Sequence, residues 1–240
     1  MSVTRRRLRA AARRLLEEAA RDFRTSAPGV RVASPAEVRE LCNVEAAACY
    51  LAGRKEIVVD ERWAAHTGTL LHEFAHHLQL EESGGDPYRA FTDLGKPHCE
   101  RPHEIAAKWF ADDFADFYKR RHEALLGGAR GPRRDGGLAC GFAALRFWQR
   151  AEGAARELEG LGAARRPPTE WERDRARSTA EAARFYAAAF ARACGVGDRL
   201  GEVLTDVDWA LMMAEGGDFL GAAERLRRAR ASALLALRRE

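Results

Sequence analysis

Apolar residues recur at three- and four-residue steps along most of the 240-residue chain, and the three short runs that read instead as extended all lie before residue 61. Three- and four-residue steps put one face of a helix against a core, whereas strands need a period of two or a continuous apolar run. The chain is therefore expected to be α+β, with a small sheet confined to its first quarter and helices elsewhere. Leu8, Ala11, Ala12, Leu15, Leu16, Ala19 and Phe23 place an amphipathic helix over residues 4–23. After Ala27-Pro28-Gly29 comes a short Val30–Val32 run, then Ser34-Pro35 with Glu37, the signature of a second helix ending near Asn43. Extended segments follow at 47–51 and 56–60, and Gly53-Arg54-Lys55 between them suits a hairpin turn through its glycine.

Helical periodicity returns from Thr67 to Glu82, where Ser83-Gly84-Gly85-Asp86-Pro87 stops it, and again from Pro102 to about Leu126. Residues 127–137, rich in glycine and arginine, read as a linker. They separate a first domain, 1–126, from an all-α region, 138–240, with helices at about 138–160, 169–194, 198–215 and 218–238. That region is expected to be a helical bundle. Its last two helices, with Gly217-Asp218-Phe219 followed by Ala222, Leu226 and Ala229, are similar to one tetratricopeptide hairpin.

An apolar share of 46% and a charged share of 32% are those of a globular protein and exclude wholesale disorder. The net charge of +4 arises from 40 basic and 36 acidic residues interleaved along the chain. Nucleic acid is accordingly not expected as a partner, although arginine-rich terminal helices with Trp148 and Trp171 keep that reading testable by salt dependence. No stretch reaches the roughly 18 apolar residues of a membrane span, so no membrane association is expected. Cys42, Cys49, Cys99, Cys140 and Cys194 are odd in number and widely spaced, a pattern that suggests no disulfide framework. A reducing compartment, and hence a cytoplasmic location, is the expectation.

The chemistry concentrates in Thr69-Leu70-Leu71-His72-Glu73-Phe74-Ala75-His76-His77-Leu78. Histidines four apart lie on one helix face a turn from each other, so His72 and His76 can share a metal ion. Glu73, between them in sequence, is suited to take a proton from a metal-activated water. Position 79 is Gln and position 82 is Glu, which excludes the extended metzincin pattern and leaves the third ligand to come from elsewhere. The next helix offers Glu104, with small Ala107 and Ala111 along the same face. Asp112 and Asp113 lie further along it, and His98 and Cys99 lie in the preceding loop. His66, His77 and His103 are expected to be supporting or surface residues.

Residues 45–118 resemble the gluzincin-like metallopeptidases, and within them the minimal ImmA/IrrE-type domains. The resemblance rests on the short sheet, the His72-Glu73-Phe74-Ala75-His76 helix and Glu104-Ile105-Ala106-Ala107-Lys108-Trp109-Phe110-Ala111 in the place of a Glu-x-x-Ala-x-x-Phe-Ala pattern. Ala75 stands where glycine is frequent. The resemblance implies a zincin-like domain with Zn2+ held by His72, His76 and Glu104, and Glu73 as general base. It also places Ile57-Val58-Val59-Asp60 as an edge strand able to align an extended substrate by β-augmentation.

The expected function is zinc-dependent hydrolysis of internal peptide bonds in a peptide or protein substrate, that of an endopeptidase, with the C-terminal helices available to a protein partner. Tyr50, Tyr88, His98, Arg101 and His103 are chemically able to stabilise the oxyanion. The alternative is a non-catalytic binding or regulatory protein on a zinc-stabilised peptidase-like scaffold.

Overall fold

The computed structural model describes residues 4–128, 136–164, 166–196 and 200–237. It is mostly helical with one small mixed sheet: α1 (Arg5–Asp22), β1 (Gly29–Ala33), α2 (Pro35–Cys42), β2 (Ala48–Leu51), β3 (Glu56–Asp60), α3 (Thr67–Glu82), α4 (Pro87–Ala90), α5 (Pro102–Leu126), α6 (Gly136–Gly162), α7 (Glu170–Cys194), α8 (Gly201–Glu215) and α9 (Phe219–Leu237). The chain divides into two compact units. One runs to Phe91 and resumes at Ala107 along α5; the other joins Thr92–Ala106 to α6 through α9. Of the linker expected at 127–137, residues 129–135 lie outside the described residues, and Gly136 and Gly137 already belong to α6.

In the first unit the strand order is β1-β3-β2, with β3 parallel to β1 and antiparallel to β2. The Ile57-Val58-Val59 strand is thus central, which corrects the expectation that it forms an edge. Alternate residues of a strand face opposite sides of a sheet. Val58 joins Ala33 and Val38 in a core with Leu41, Cys42, Cys49 and Leu51 on the α2 side, while α1 packs on β1 and α3 on β2 and β3. Cover on both faces is why all three apolar residues of β3 are buried. The free edges belong to β1 and β2.

Local chemistry sets the element ends. Thr4 caps α1 by accepting from the Arg7 amide. Ser34 and Glu37 form a reciprocal capping box at α2 with Pro35 in its first turn. In the β2–β3 connection the left-handed residue is Lys55, at φ 48°, rather than Gly53. A 3-10 turn over Ala52–Arg54 reverses the chain first, so the glycine meets no conformational demand that another residue would fail. Phe23, at the end of α1, packs against Phe110 and Phe114 of α5 with ring centroids 5.2 and 5.4 Å apart, and against Phe74 of α3 at 6.1 Å. This aromatic cluster joins the three helices.

Four cysteines are paired, Cys42 with Cys49 and Cys140 with Cys194, and Cys99 is free and exposed. The expectation of no disulfide framework is therefore corrected, and its argument for a reducing compartment falls with it. Pairing is decided by Cα separation in the fold, here 6.0 and 4.6 Å, which spacing in the sequence does not disclose. Among the described residues no helix is long and apolar enough to cross a membrane.

In the second unit, successive helices of α6–α9 pack on one another and α9 returns against α6. Alanines such as Ala180, Ala183, Ala187, Ala222 and Ala229 are buried and allow close helix approach, and Phe147 stacks on Phe190 at 5.9 Å. Asp206 is buried and held by Arg225 at 2.8 Å and Arg228 at 3.2 Å. Such pairing offsets the cost of taking a carboxylate out of water.

His122 of α5 is completely buried, with Nδ1 3.1 Å from the Thr67 hydroxyl. Burial, and secondarily the charge of His66, pushes its pKa down to about 4 from 6.5. The folded chain keeps this ring neutral while the unfolded chain protonates it below about 6.5. Stability contributed by the neutral ring should accordingly fall as pH drops from about 6.5 to about 4, by roughly 3 kcal/mol in total. Urea unfolding of chelator-treated protein at both ends of that window, beside a His122→Phe variant, checks this. An equal pH slope in the two proteins would remove His122 as its source.

Candidate metal centre

Helix α3 begins where the His66 Nδ1 accepts from the Thr69 amide at 3.1 Å. It ends where Gly84 and Gly85 turn left-handed, at φ 73° and 86°, and the Gly85 amide donates to the Leu80 carbonyl at 2.8 Å. Between those ends most side chains are buried: Leu70, Leu71, Phe74, Ala75, Leu78 and Leu80, but also Glu73, His76, His77 and Gln79. Polar side chains in such a setting need partners, and their partners sort the histidines.

His77 faces the sheet. The Tyr50 hydroxyl lies 2.9 Å from its Nδ1, and its Nε2 lies 2.8 Å from the Ser26 carbonyl. A carbonyl only accepts, so Nε2 carries the proton and Nδ1 accepts from the tyrosine. Burial raises the Tyr50 pKa, with the charge of Glu81 adding to the effect, which keeps the hydroxyl protonated for that role. His77 is thus a buried link between α3, β2 and the segment after α1.

His72 and His76 meet different partners. Their Nε2 atoms are 3.2 Å apart, with the ring planes at 88°. On the far side of its ring, the His76 Nδ1 is 2.8 Å from the Gln79 Oε1. Glu104 stands in the first turn of α5, after Pro102, three residues ahead of Ala107, from which the same helix runs on to Phe110 and Phe114. Its carboxylate, 11% exposed, lies 3.0 Å from the His98 Nε2 and 3.7 Å from the His103 Nε2. One ligand atom from each of His72, His76 and Glu104 lies within 4.8 Å of the others, so these three residues could hold a metal ion.

Two imidazole nitrogens and one carboxylate oxygen are a donor set suited to zinc. Tetrahedral zinc with bonds of 2.0–2.1 Å holds neighbouring nitrogens about 3.3 Å apart. The Nε2 separation of 3.2 Å matches that requirement.

No protein-family model, curated protein or solved structure matches the chain.

Other residues weighed from the sequence fall elsewhere. Asp112 is exposed and paired with Lys108 at 2.6 Å, and neither it nor Asp113 belongs to the three-residue group. His98, 70% exposed, contacts the Glu104 carboxylate from outside that group, and Cys99 is exposed. Of the five oxyanion candidates, Tyr50 is engaged with His77. The Arg101 guanidinium donates to the Leu94 and Lys96 carbonyls, both at 2.9 Å, and Tyr88 is 87% exposed. His98 and His103 are the two placed beside a member of the group. Sequence reasoning passed over Gln79 as a participant. Its signal was a polar residue one turn after His76, set between Leu78 and Leu80 in a buried run.

Proposed function

We propose that this protein is a zinc-dependent peptidase of the gluzincin-like, minimal ImmA/IrrE type, with Zn2+ held by His72, His76 and Glu104. The observation that carries the reading is the pair of Nε2 atoms 3.2 Å apart with a carboxylate in the same cluster, next in sequence to the buried acid Glu73. When bound, zinc supplies Lewis acidity to a peptide carbonyl and lowers the pKa of a coordinated water towards 7.

The chain's own residues do the rest. Glu73 accepts the water proton and delivers it to the departing amine nitrogen. The outer edge of β2 aligns an extended substrate. The Asp60 amide donates to the Ala47 carbonyl, so by alternation Cys49 and Leu51 pair with β3 while the backbone groups of Ala48 and Tyr50 point outward. An edge in that state accepts a peptide as an added strand, and the Tyr50 side chain ties the same edge to α3.

Metal analysis tests the ligand set. Purified protein should contain about one zinc per chain, and Glu104→Ala and His76→Ala should each lower that content sharply, since a three-ligand site loses one of its bonds. Circular dichroism would establish that each variant is folded. Folded wild-type protein without zinc after reconstitution, or a Glu104→Ala variant with full zinc content, would overturn the assignment.

A further inference from the structure

We propose that Gln79 is a positioning residue that orients His76 for metal binding. The proposal rests on the zinc reading above and deepens it. A neutral imidazole carries one N–H, on either nitrogen, and only the other nitrogen offers a lone pair to a metal. The His76 Nε2 faces the His72 Nε2 at 3.2 Å, so the proton must sit on Nδ1 for the ring to serve as ligand. The Gln79 Oε1, 2.8 Å from Nδ1, is an amide carbonyl oxygen and accepts only. The contact therefore selects the Nδ1–H form.

The geometry of α3 makes this contact local. Residues three apart are neighbours on a helix face, and Gln79 is buried between buried Leu78 and Leu80. Water is thereby kept from competing for Nδ1, and the amide and ring restrict each other's rotation. A neutral amide is a weaker acceptor than a carboxylate, so the contact directs the ring with less added basicity than an acidic residue would give. The helical spacing alone supplies an orienting partner at the position where the metzincin pattern places glycine.

Gln79→Leu and Gln79→Glu, made in the full chain, test the proposal by two measurements. One is zinc affinity by competition with a chromophoric chelator, and the other is the tautomer of His76 by nitrogen-15 NMR of metal-free protein at mildly alkaline pH. Wild type should hold His76 as Nδ1–H. Gln79→Leu should shift it towards Nε2–H and weaken zinc binding about 10–100-fold, and Gln79→Glu should restore both. His76 remaining Nδ1–H in Gln79→Leu, zinc affinity within about twofold of wild type, or a loss that Gln79→Glu leaves unrepaired would each overturn the proposal. Should wild type bind no zinc, the metal reading fails, while the tautomer of metal-free protein still decides the role of Gln79.

Discussion

Glu73→Gln should reduce peptide hydrolysis by about 10²–10⁴-fold, the contribution of a positioned general base, while the zinc content stays that of wild type. The amide keeps the size of the carboxylate and loses its capacity to take a proton. Because Glu73 stands outside the group of three that can hold an ion, metal retention and loss of turnover should separate in this variant. In a ligand variant such as His76→Ala the two should fall together. Hydrolysis of a quenched-fluorescent peptide library, with zinc measured on the same preparations, makes the comparison. Wild-type turnover in Glu73→Gln would dismiss Glu73 as the base. Zinc-loaded wild type inert towards every peptide in the library would favour the scaffold reading, in which the ion only fastens helices together.

The second large effect concerns stability. The Cys140–Cys194 bridge ties the start of α6 to the end of α7 across a sequence separation of 54. Closing a loop of that length should lower the entropy of the unfolded chain enough to contribute about 4 kcal/mol, and the shorter Cys42–Cys49 loop about 2.5 kcal/mol. Replacing both Cys140 and Cys194 by serine should therefore cost more than replacing Cys42 and Cys49, as urea unfolding would register. Alkylation of native, unreduced protein should modify one cysteine in five, Cys99. Modification of all five without prior reduction would show the bridges to be absent. Bridges of this kind form and persist where thiols are not kept reduced.

Helix α3 was legible almost to the residue, because Ser83-Gly84-Gly85 is a local stop and apolar spacing is a local signal. The His72 and His76 pair was legible for the same reason. Strand order was not, since β3 finds β1 only after the chain has passed through α2 and β2. A cue was nevertheless present, because the unbroken Ile57-Val58-Val59 run suits a strand covered on both faces better than an exposed edge. Cysteine pairing was hidden for a related reason, each bridge joining two different elements. Glu104 emerged from a resemblance in the neighbouring pattern, because a carboxylate two residues after a proline is equally at home as a helix-terminus charge. The separate duties of His76 and His77, adjacent in sequence, depend on which neighbours each ring meets.

That adjacency has a mechanical consequence. With one imidazole clasped by Tyr50 and the Ser26 carbonyl, α3 cannot spin about its long axis without breaking both hydrogen bonds. The imidazole of His76, one residue earlier and roughly 100° around the helix, therefore has its bearing set by the same two hydrogen bonds. An arriving ion would meet donors already aimed, with little rotational freedom left to surrender.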